Sequence, residues 1–227
     1  MNNRQEDLRL KIQKFADDAE SHGTPLSWFE ELYANARRNS DEIPWARMEP
    51  HPKMVEWIKN NPEISGKALV VGCGLGDDAE WLEEKGFEVT AFDVSESSIE
   101  WCKERFPNSS VNYCVANILS SPTQWKNSYD LIVEIHILQA VPEKIREDAA
   151  EILPSLLNNN GHLLCIGRLL DSTILDNSGP PWALSRVWLE EKFEKLKLVS
   201  FTHFSADSNI HGDFPTVSRF IAVWKQN

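Results

Sequence analysis

The sequence predicts an α/β fold: a doubly wound, mostly parallel sheet of seven strands with an antiparallel last strand, preceded by a helical N-terminal cap. Three observations predict it. From residue 67 onward, apolar runs of strand length alternate with segments of helical periodicity, the order that winds helices over both faces of a parallel sheet. The runs L-V-V at 69–71 and D-L-I-V-E-I at 130–135 are almost unbroken apolar stretches, as expected of strands covered on both sides. The final run, V-S-R-F-I-A-V-W at 217–224, is separated from the strand before it by the loop Ser205 to Pro215 alone. With no helix to carry the chain back across the sheet, that strand pairs antiparallel.

The elements follow in order. Leu8, Ile12, Phe15 and Ala19 recur at helical spacing within Glu6 to Glu20, opposite a charged face. Ser27 stands where an N-cap would, and Glu30 three positions on completes a capping box for a second helix, with Phe29, Leu32 and Tyr33 on its apolar side. Pro44, Pro50 and Pro52 make Asn39 to Pro52 an extended loop, and Lys53 to Asn60 reads as a short helix stopped before Pro62. Strands are then predicted at 67–71, 87–92, 110–115, 129–135, 161–168, 197–204 and 216–224. Helices are predicted at 77–85, 96–105, 142–158 and 184–195. Trp57, Trp81, Trp101 and Trp188 fall on predicted helices and are assigned to the core. The resulting division is a cap over residues 1–62 and a binding domain over 63–227, with no repeat or low-complexity tract.

Composition narrows the function. A chain of 227 residues, 41% hydrophobic and 26% charged, reads as one globular domain with an N-terminal appendage. Its formal net charge is −12, with no Lys/Arg stripe to offset it locally. Contact with a phosphate backbone needs clustered cations, so nucleic acid is disfavoured as a substrate and anionic membranes as a surface. No apolar run reaches spanning length and MNNRQEDLRLKIQK lacks the apolar core of a signal peptide, so a cytoplasmic location is expected. Cys73, Cys102, Cys114 and Cys165 form no C-x-x-C pair and are read as buried free thiols, without a disulfide or a metal. His203 and His211 share no ligand spacing.

The chemistry concentrates in KALVVGCGLGDDAEWLEEKGFEVTAFD, residues 67–93. An apolar strand meets glycines at 72, 74 and 76, a helix opens at Asp77 and Asp78, and a second strand ends on Asp93. That is the first βαβ unit of a Rossmann-like nucleotide-binding fold, with an acid placed to accept from ribose hydroxyls. A dinucleotide site wants glycine at the sixth position of the turn; here it is Asp77, whose charge repels a pyrophosphate at the helix N-terminus. S-adenosylmethionine has no phosphate and carries a sulfonium and an ammonium, so it fits. On this reading Gly72 and Gly74 bring the turn against the methionyl part, with Cys73 donating through its backbone. Asp93 takes the ribose hydroxyls and Val94 lies against the adenine. The plainer alternatives are a tight turn for the glycines and a helix cap beside Ser95 for Asp93.

V-V-G-C-G-L-G-D-D followed by T-A-F-D-V-S resembles the class I S-adenosylmethionine-dependent methyltransferases. Upstream, W-F-E-E-L-Y with I-P-W-A-R-M-E-P-H-P resembles their thiopurine methyltransferase-like branch, in which an aromatic N-terminal arm precedes the first strand. The likeness spans Trp28 to Trp224, with specific motifs as far as Asn117. It implies the fold, the cofactor and a small-molecule methyl acceptor, which it does not name. It also implies an adenine contact after the third strand, where the family has an acid and this chain has Asn117 and Ile118. An amide oxygen can accept the same bond, and a turn asparagine is the alternative. The family's D-R-G-A-L appears here as Glu134-Ile135-His136-Ile137-Leu138: Glu134 replaces the acid at the cofactor, no arginine follows, and a thiopurine acceptor is correspondingly weakened.

His136, beyond the end of a central strand, is the candidate general base, against the plainer reading of a turn-capping histidine. Trp28, Trp45 and Arg47 are candidates for a lid, and packing on the sheet edge is the alternative for Trp45. Arg168, Trp182 and Arg186 are placed to shape the acceptor pocket and attract an anionic group; surface salt bridges are the duller role for the arginines. Methyl transfer from a sulfonium is an in-line displacement that needs alignment more than acid or base. The lack of a dyad or triad therefore leans toward a soft acceptor such as a thiol, with a His136-assisted oxygen or nitrogen still open. The rival functions are a non-catalytic S-adenosylmethionine-binding sensor or assembly protein and a hydride-transferring Rossmann oxidoreductase.

Overall fold

A computed structural model describes residues 3–171, 179–205 and 218–227, with side chains from residue 10 onward. Positions 216–217 of the last predicted strand, His211, most of the loop before it and the Leu8 side chain lie outside that set. The cap comprises α1 (Asn3–Ser21) and α2 (Ser27–Ala36), and α3 (Pro52–Asn60) follows the proline-rich loop. Then come β1 (Lys67–Val71), α4 (Asp77–Glu84), β2 (Glu88–Asp93), α5 (Glu96–Arg105), β3 (Asn112–Val115), β4 (Tyr129–Ile135) and α6 (Glu143–Leu156). The chain closes with β5 (Leu157–Arg168), α7 (Arg186–Lys192), β6 (Lys197–Ser205) and β7 (Ser218–Lys225).

Among the described residues the seven strands lie in the order β3-β2-β1-β4-β5-β7-β6. β1 pairs parallel with β2 and β4, and β7 runs antiparallel between β5 and β6. The predicted architecture is therefore present. Alternation along the strands makes two cores. Leu69, Ile132, Leu163 and Phe220 pack beneath α6 and α7 with Leu153, Leu189 and Phe193. Their neighbours Ala68, Val70, Leu131, Val133 and Leu164 pack under α3, α4 and α5 with Met54, Leu82 and Ile99. A third cluster joins the cap to α5 through Trp28, Leu32, Tyr33, Ile43 and Trp101. Of the four tryptophans assigned to the core, Trp101 is fully buried, while Trp57, Trp81 and Trp188 are half-buried against it.

Local departures from the predicted elements have local causes. β5 begins at Leu157 because that residue pairs with Tyr129 ahead of a register shift. α3 starts at Pro52, with His51 Nδ1 accepting the Lys53 N–H at 3.2 Å as its cap. α7 is shorter than predicted, since Leu184 forms a bridge with Leu169 instead of entering the helix. The capping box does not form. Ser27 is the first residue of α2, its hydroxyl lies 3.1 Å from that of Thr24, and Glu30 reaches across to α5. No helix among the described residues is long and apolar enough to cross a membrane.

Candidate active site

Register brings the carboxyl ends of β1, β2 and β4 level, with Val71 opposite both Phe92 and Glu134, and the candidate site lies just beyond them. The glycine turn leaves β1 with positive φ at Gly72 (59°) and Gly74 (55°), a conformation that penalises any Cβ. A Cβ on Gly72 would run into Ile137, and one on Gly74 would stand 3.1 Å from the Tyr33 hydroxyl. The backbone donor assigned to Cys73 is already used: its N–H bonds to Phe92 O at 2.9 Å, extending the β1–β2 ladder. Asp77 is likewise engaged, paired with Arg105 at 2.7 and 3.0 Å. Both acids line the cavity; Asp78 accepts the His51 N–H at 2.6 Å and is raised by burial to a pKa of about 6.

Asp93 closes β2 at 7% exposure, with Oδ2 accepting from Gly74 N at 3.1 Å and Oδ1 from Ser95 N at 3.0 Å. Burial raises its pKa to about 6, against those two bonds. The ligand role and the cap role are thus compatible in one carboxylate. Around it runs a closed network. Ser95 Oγ donates to Glu30 at 2.7 Å while accepting from Ser98 N at 3.0 Å, and Ser98 Oγ donates to Gly74 O at 2.5 Å. Ser97 adds its N–H and hydroxyl to Glu30 at 3.0 and 2.6 Å. Burial works against the Glu30 charge, but the Ser97 and Ser95 bonds hold its carboxyl below the usual range. The cap is therefore latched to the N-terminus of α5, one turn from Asp93, where a carboxylate also complements the helix dipole.

The cavity has a volume of about 790 Å³. Trp28, Trp45, Gly72, Cys73, Gly74, Asp93, Val94, Asn117 and Ile118 all line it, as do Arg47, His136 and Arg168. Trp28 is buried, stacked on Phe29 with centroids 3.9 Å apart, and Trp45 donates from Nε1 to the Tyr33 hydroxyl at 2.8 Å. Trp45 thus packs within the cap, not on the sheet edge. Asn117 Oδ1 accepts from Leu119 N at 3.0 Å, so the turn role holds while the residue borders the cavity.

Three expected site residues are elsewhere. Glu134 is 1% exposed and turned into the protein, accepting from Ile137 N (2.7 Å), Leu138 N (2.9 Å) and Cys165 Sγ (2.5 Å); a carboxylate this deep needs those donors. Trp182 donates its backbone N–H to Gln139 O at 2.8 Å, and its ring lies 5.4 Å from the Arg146 guanidinium, off the cavity wall. Arg186 is exposed, pairs with Glu190 at 2.7 Å and covers Phe201.

His136 sits at φ 66° with Nε2 3.2 Å from Arg219 Nη1. A guanidinium can only donate, so Nε2 accepts and Nδ1 carries the proton. Burial and then Arg219 hold its pKa down to about 3, with Gln139 opposing. His136 is therefore neutral near pH 7, a weak base whose Nε2 is already engaged by Arg219. Burial and the charges around His51 also depress the pKa of that ring, which lies edge-on to His136 at 5.8 Å. Sequence reasoning missed Arg219, His51, Tyr33 and the latch of Glu30. The available signals were an arginine inside the apolar run R-F-I-A-V-W and a histidine between prolines in P-H-P.

The strand order, the glycine turn leaving β1 and the acid closing β2 define an S-adenosylmethionine-dependent methyltransferase. The fold agrees with a structure solved for the conversion of a disulfide bond into a thioacetal group during echinomycin biosynthesis. The TM-score is 0.71 at 18% identity, covering 89% of this chain and 91% of that one. It agrees as well with the Burkholderia thailandensis 1,6-didemethyltoxoflavin-N1-methyltransferase, solved with S-adenosylhomocysteine, at TM-score 0.68 and 15% identity over 92% and 89% of the two chains. A family model described as Thiopurine S-methyltransferase (TPMT) matches residues 34–220, and the chain belongs to that family. Thiopurine S-methyltransferase of Vibrio campbellii is 24% identical over 169 residues, 67% of this chain and 76% of that protein. Thiocyanate methyltransferase 1 of Arabidopsis thaliana is 24% identical over 194 residues, 85% and 78% of the respective chains. The protein is accordingly an enzyme that methylates a small molecule from S-adenosylmethionine.

Two outcomes follow from the geometry. Glu30→Ala should cost about 1 kcal/mol of unfolding free energy in urea and, because Ser95 also orders Asp93, weaken S-adenosylhomocysteine binding several-fold by calorimetry. A folded variant with unchanged affinity would reduce the latch to a structural cap. In NMR the His136 ring should stay neutral and Nδ1-protonated from pH 8 down to pH 5; a midpoint near 6.5 would restore it as a base.

Proposed function

We propose that this methyltransferase acts on a soft nucleophile, a thiol or its thiolate, in the cytoplasm, with neither nucleic acid nor membrane as partner. The observation that carries this is the lack of a working base at the acceptor end. His136 is held near pKa 3, the His51 pKa is depressed, and Glu134 is locked into its turn. A thiol ionises enough near neutrality to react without one, whereas an alcohol or a protonated amine does not. The names of the relatives, thiopurine and thiocyanate methyltransferases, point to sulfur acceptors as well. The four cysteines, all free, suit a reducing compartment.

The site fits the cofactor on its own evidence: a cradle that a Cβ would fill, and a buried carboxylate raised to about 6 that gains from hydroxyl donors. S-adenosylmethionine supplies, when bound, a methyl group already activated on a sulfonium. Gly72 and Gly74 admit its amino-acid end, with Asp78 the acid left for the ammonium since Asp77 is paired with Arg105. Asp93 accepts the ribose hydroxyls, Val94 and Ile118 wall the adenine, and Asn117 meets its edge. Trp28, Trp45 and Tyr33 close over that half and exclude water, so residues 1–62 serve as lid and residues 63–227 as scaffold. Arg47 and Arg168 face the acceptor. Alignment and dryness are what the protein contributes.

Incubating the enzyme with labelled donor and a panel of thiols, phenols and amines tests the reading; turnover confined to phenols or amines would sink it. For Asp93 the sign is set by its raised pKa: hydroxyls donate to the ionised form, so binding is full above about pH 6 and lost as pH falls through it. 5′-Methylthioadenosine, which has no amino-acid end to sense Asp78, should bind about tenfold more weakly at pH 5 than at pH 7. Asp93→Asn should weaken it at pH 7 and flatten that dependence in calorimetry.

A further inference from the structure

We propose that His51 donates its Nε2–H to the nucleophilic sulfur of the acceptor and so holds it as a thiolate. This rests on the soft-nucleophile reading and names the contact that stands in for a base. The observation is a buried imidazole with one nitrogen used and the other left without an acceptor. His51 is 5% exposed and lines the cavity, fixed between Pro50 and Pro52 at the start of α3. Its Nδ1 accepts the Lys53 N–H at 3.2 Å, so the neutral ring carries its proton on Nε2. Among the described residues no group accepts from that Nε2–H. A buried donor without an acceptor costs stability, and a molecule bound in the cavity relieves it.

Capping α3 does not account for the residue, since a serine or an aspartate caps a helix without bringing a buried N–H along. Its position does. The His51 backbone N–H bonds to Asp78 Oδ1 at 2.6 Å, and its ring meets that of His136, just beyond β4, edge-on at 5.8 Å. The residue thus bridges the acid assigned to the cofactor's ammonium and the turn where the acceptor is expected. The charged and titratable groups acting on the ring are His136 after β4, Arg47 of the cap loop, Arg219 of β7 and Lys53 of α3. Burial first, and then these groups, keep a second proton off, so the ring stays a neutral donor. A hydrogen bond to an ionised partner is stronger than one to a neutral partner, so this donor favours thiolate over thiol. His51 itself moves no proton. The thiol releases its proton to solvent before it is enclosed. Its lone pair becomes the new S–C bond as the sulfonium's S–C bond breaks, and that electron pair stays with the cofactor's sulfur. The thioether formed is a weak acceptor, so the N–H lets the product go.

The probe is thiophenol bound to the enzyme loaded with S-adenosylhomocysteine, its ionisation followed by thiolate absorbance against pH. Bound thiophenol should ionise about tenfold more readily than free thiophenol, the effect of one charge-assisted hydrogen bond. His51→Asn keeps an oxygen for the Lys53 N–H but removes the Nε2–H, and it should lose that gain. His51→Gln carries an N–H near Nε2 and gives up the cap; it should recover part of the gain with a lower urea midpoint. No gain in the wild type, or a gain that survives in His51→Asn, overturns the proposal. So does a gain replaced in that variant by weaker S-adenosylhomocysteine binding, which would assign the donor to the cofactor. Should His51→Asn fail to fold, a smaller gain in His51→Gln than in the wild type supports the donor and an equal one refutes it. The panel of thiols, phenols and amines decides the nucleophile separately. Methylation of phenols alone with the gain intact refutes the thiol and keeps the donor, because a phenolate accepts the same bond. Thiol turnover without the gain refutes the donor alone, and methylation of amines alone refutes both, for an amine has no lone pair to spare.

Discussion

The carboxylate of Asp93 is held out of water at the end of β2, and most of the site can be understood as what makes that tolerable. An ionised carboxylate in an apolar setting needs donors, and it has two, from Gly74 and Ser95. The first requires the turn after β1 to bend back toward β2, which only glycine does easily at φ 55°. The second requires α5 to begin immediately, and Ser95, the cap of that helix, passes the constraint to Glu30 of α2. Ser98 closes the loop by returning to Gly74 O. Four elements are thereby tied to one group. Even so burial keeps its pKa near 6, so the pocket retains a strong acceptor still short of donors, the state a ribose diol relieves.

Much of this was legible in the sequence. β1, β4 and α5 begin and end where periodicity places them, because each is an apolar or amphipathic run bounded by charge or a cap. The glycine turn and Asp93 were legible because their spacing is local: one strand, one turn and one helix fix it. Glu30 shows the limit of local reading. S-x-x-E before an apolar face signals a capping box. The pattern is the same whether the glutamate folds back on its own helix or reaches a neighbour. Here α5 presents two serine hydroxyls and an N–H, and the long-range partner wins.

The acceptor end was less legible for a similar reason. His51, His136, Arg168 and Arg219 are scattered over the chain and meet only through sheet register and the docking of α3. No spacing rule joins an arginine at the end of β5 to one at the start of β7; the antiparallel insertion of β7 does. Glu134 misled because the position beyond β4 was right and the direction was wrong. Its side chain turns inward to cap the Ile137 and Leu138 N–H groups, and His136 at positive φ faces the cavity in its place.

The cavity wall carries charge of both signs, and this bears on why such an enclosure helps. Asp78 and Asp93 line it, and so do Arg47, Arg168 and Arg219, with Arg47 near enough to Asp78 to act on its carboxylate. A sulfonium and a thiolate destroy each other's charge as the methyl group passes between them. Water stabilises the separated ions more than the neutral products, so it opposes the reaction, and a dry apolar wall removes that opposition. Removing water alone would also make both charged reactants reluctant to enter, since desolvating an ion without a partner is expensive. Fixed acids and guanidiniums in the wall offset that cost. The same dryness acts on His136: burial first, and the Arg219 charge second, hold its pKa down and make it a weak base.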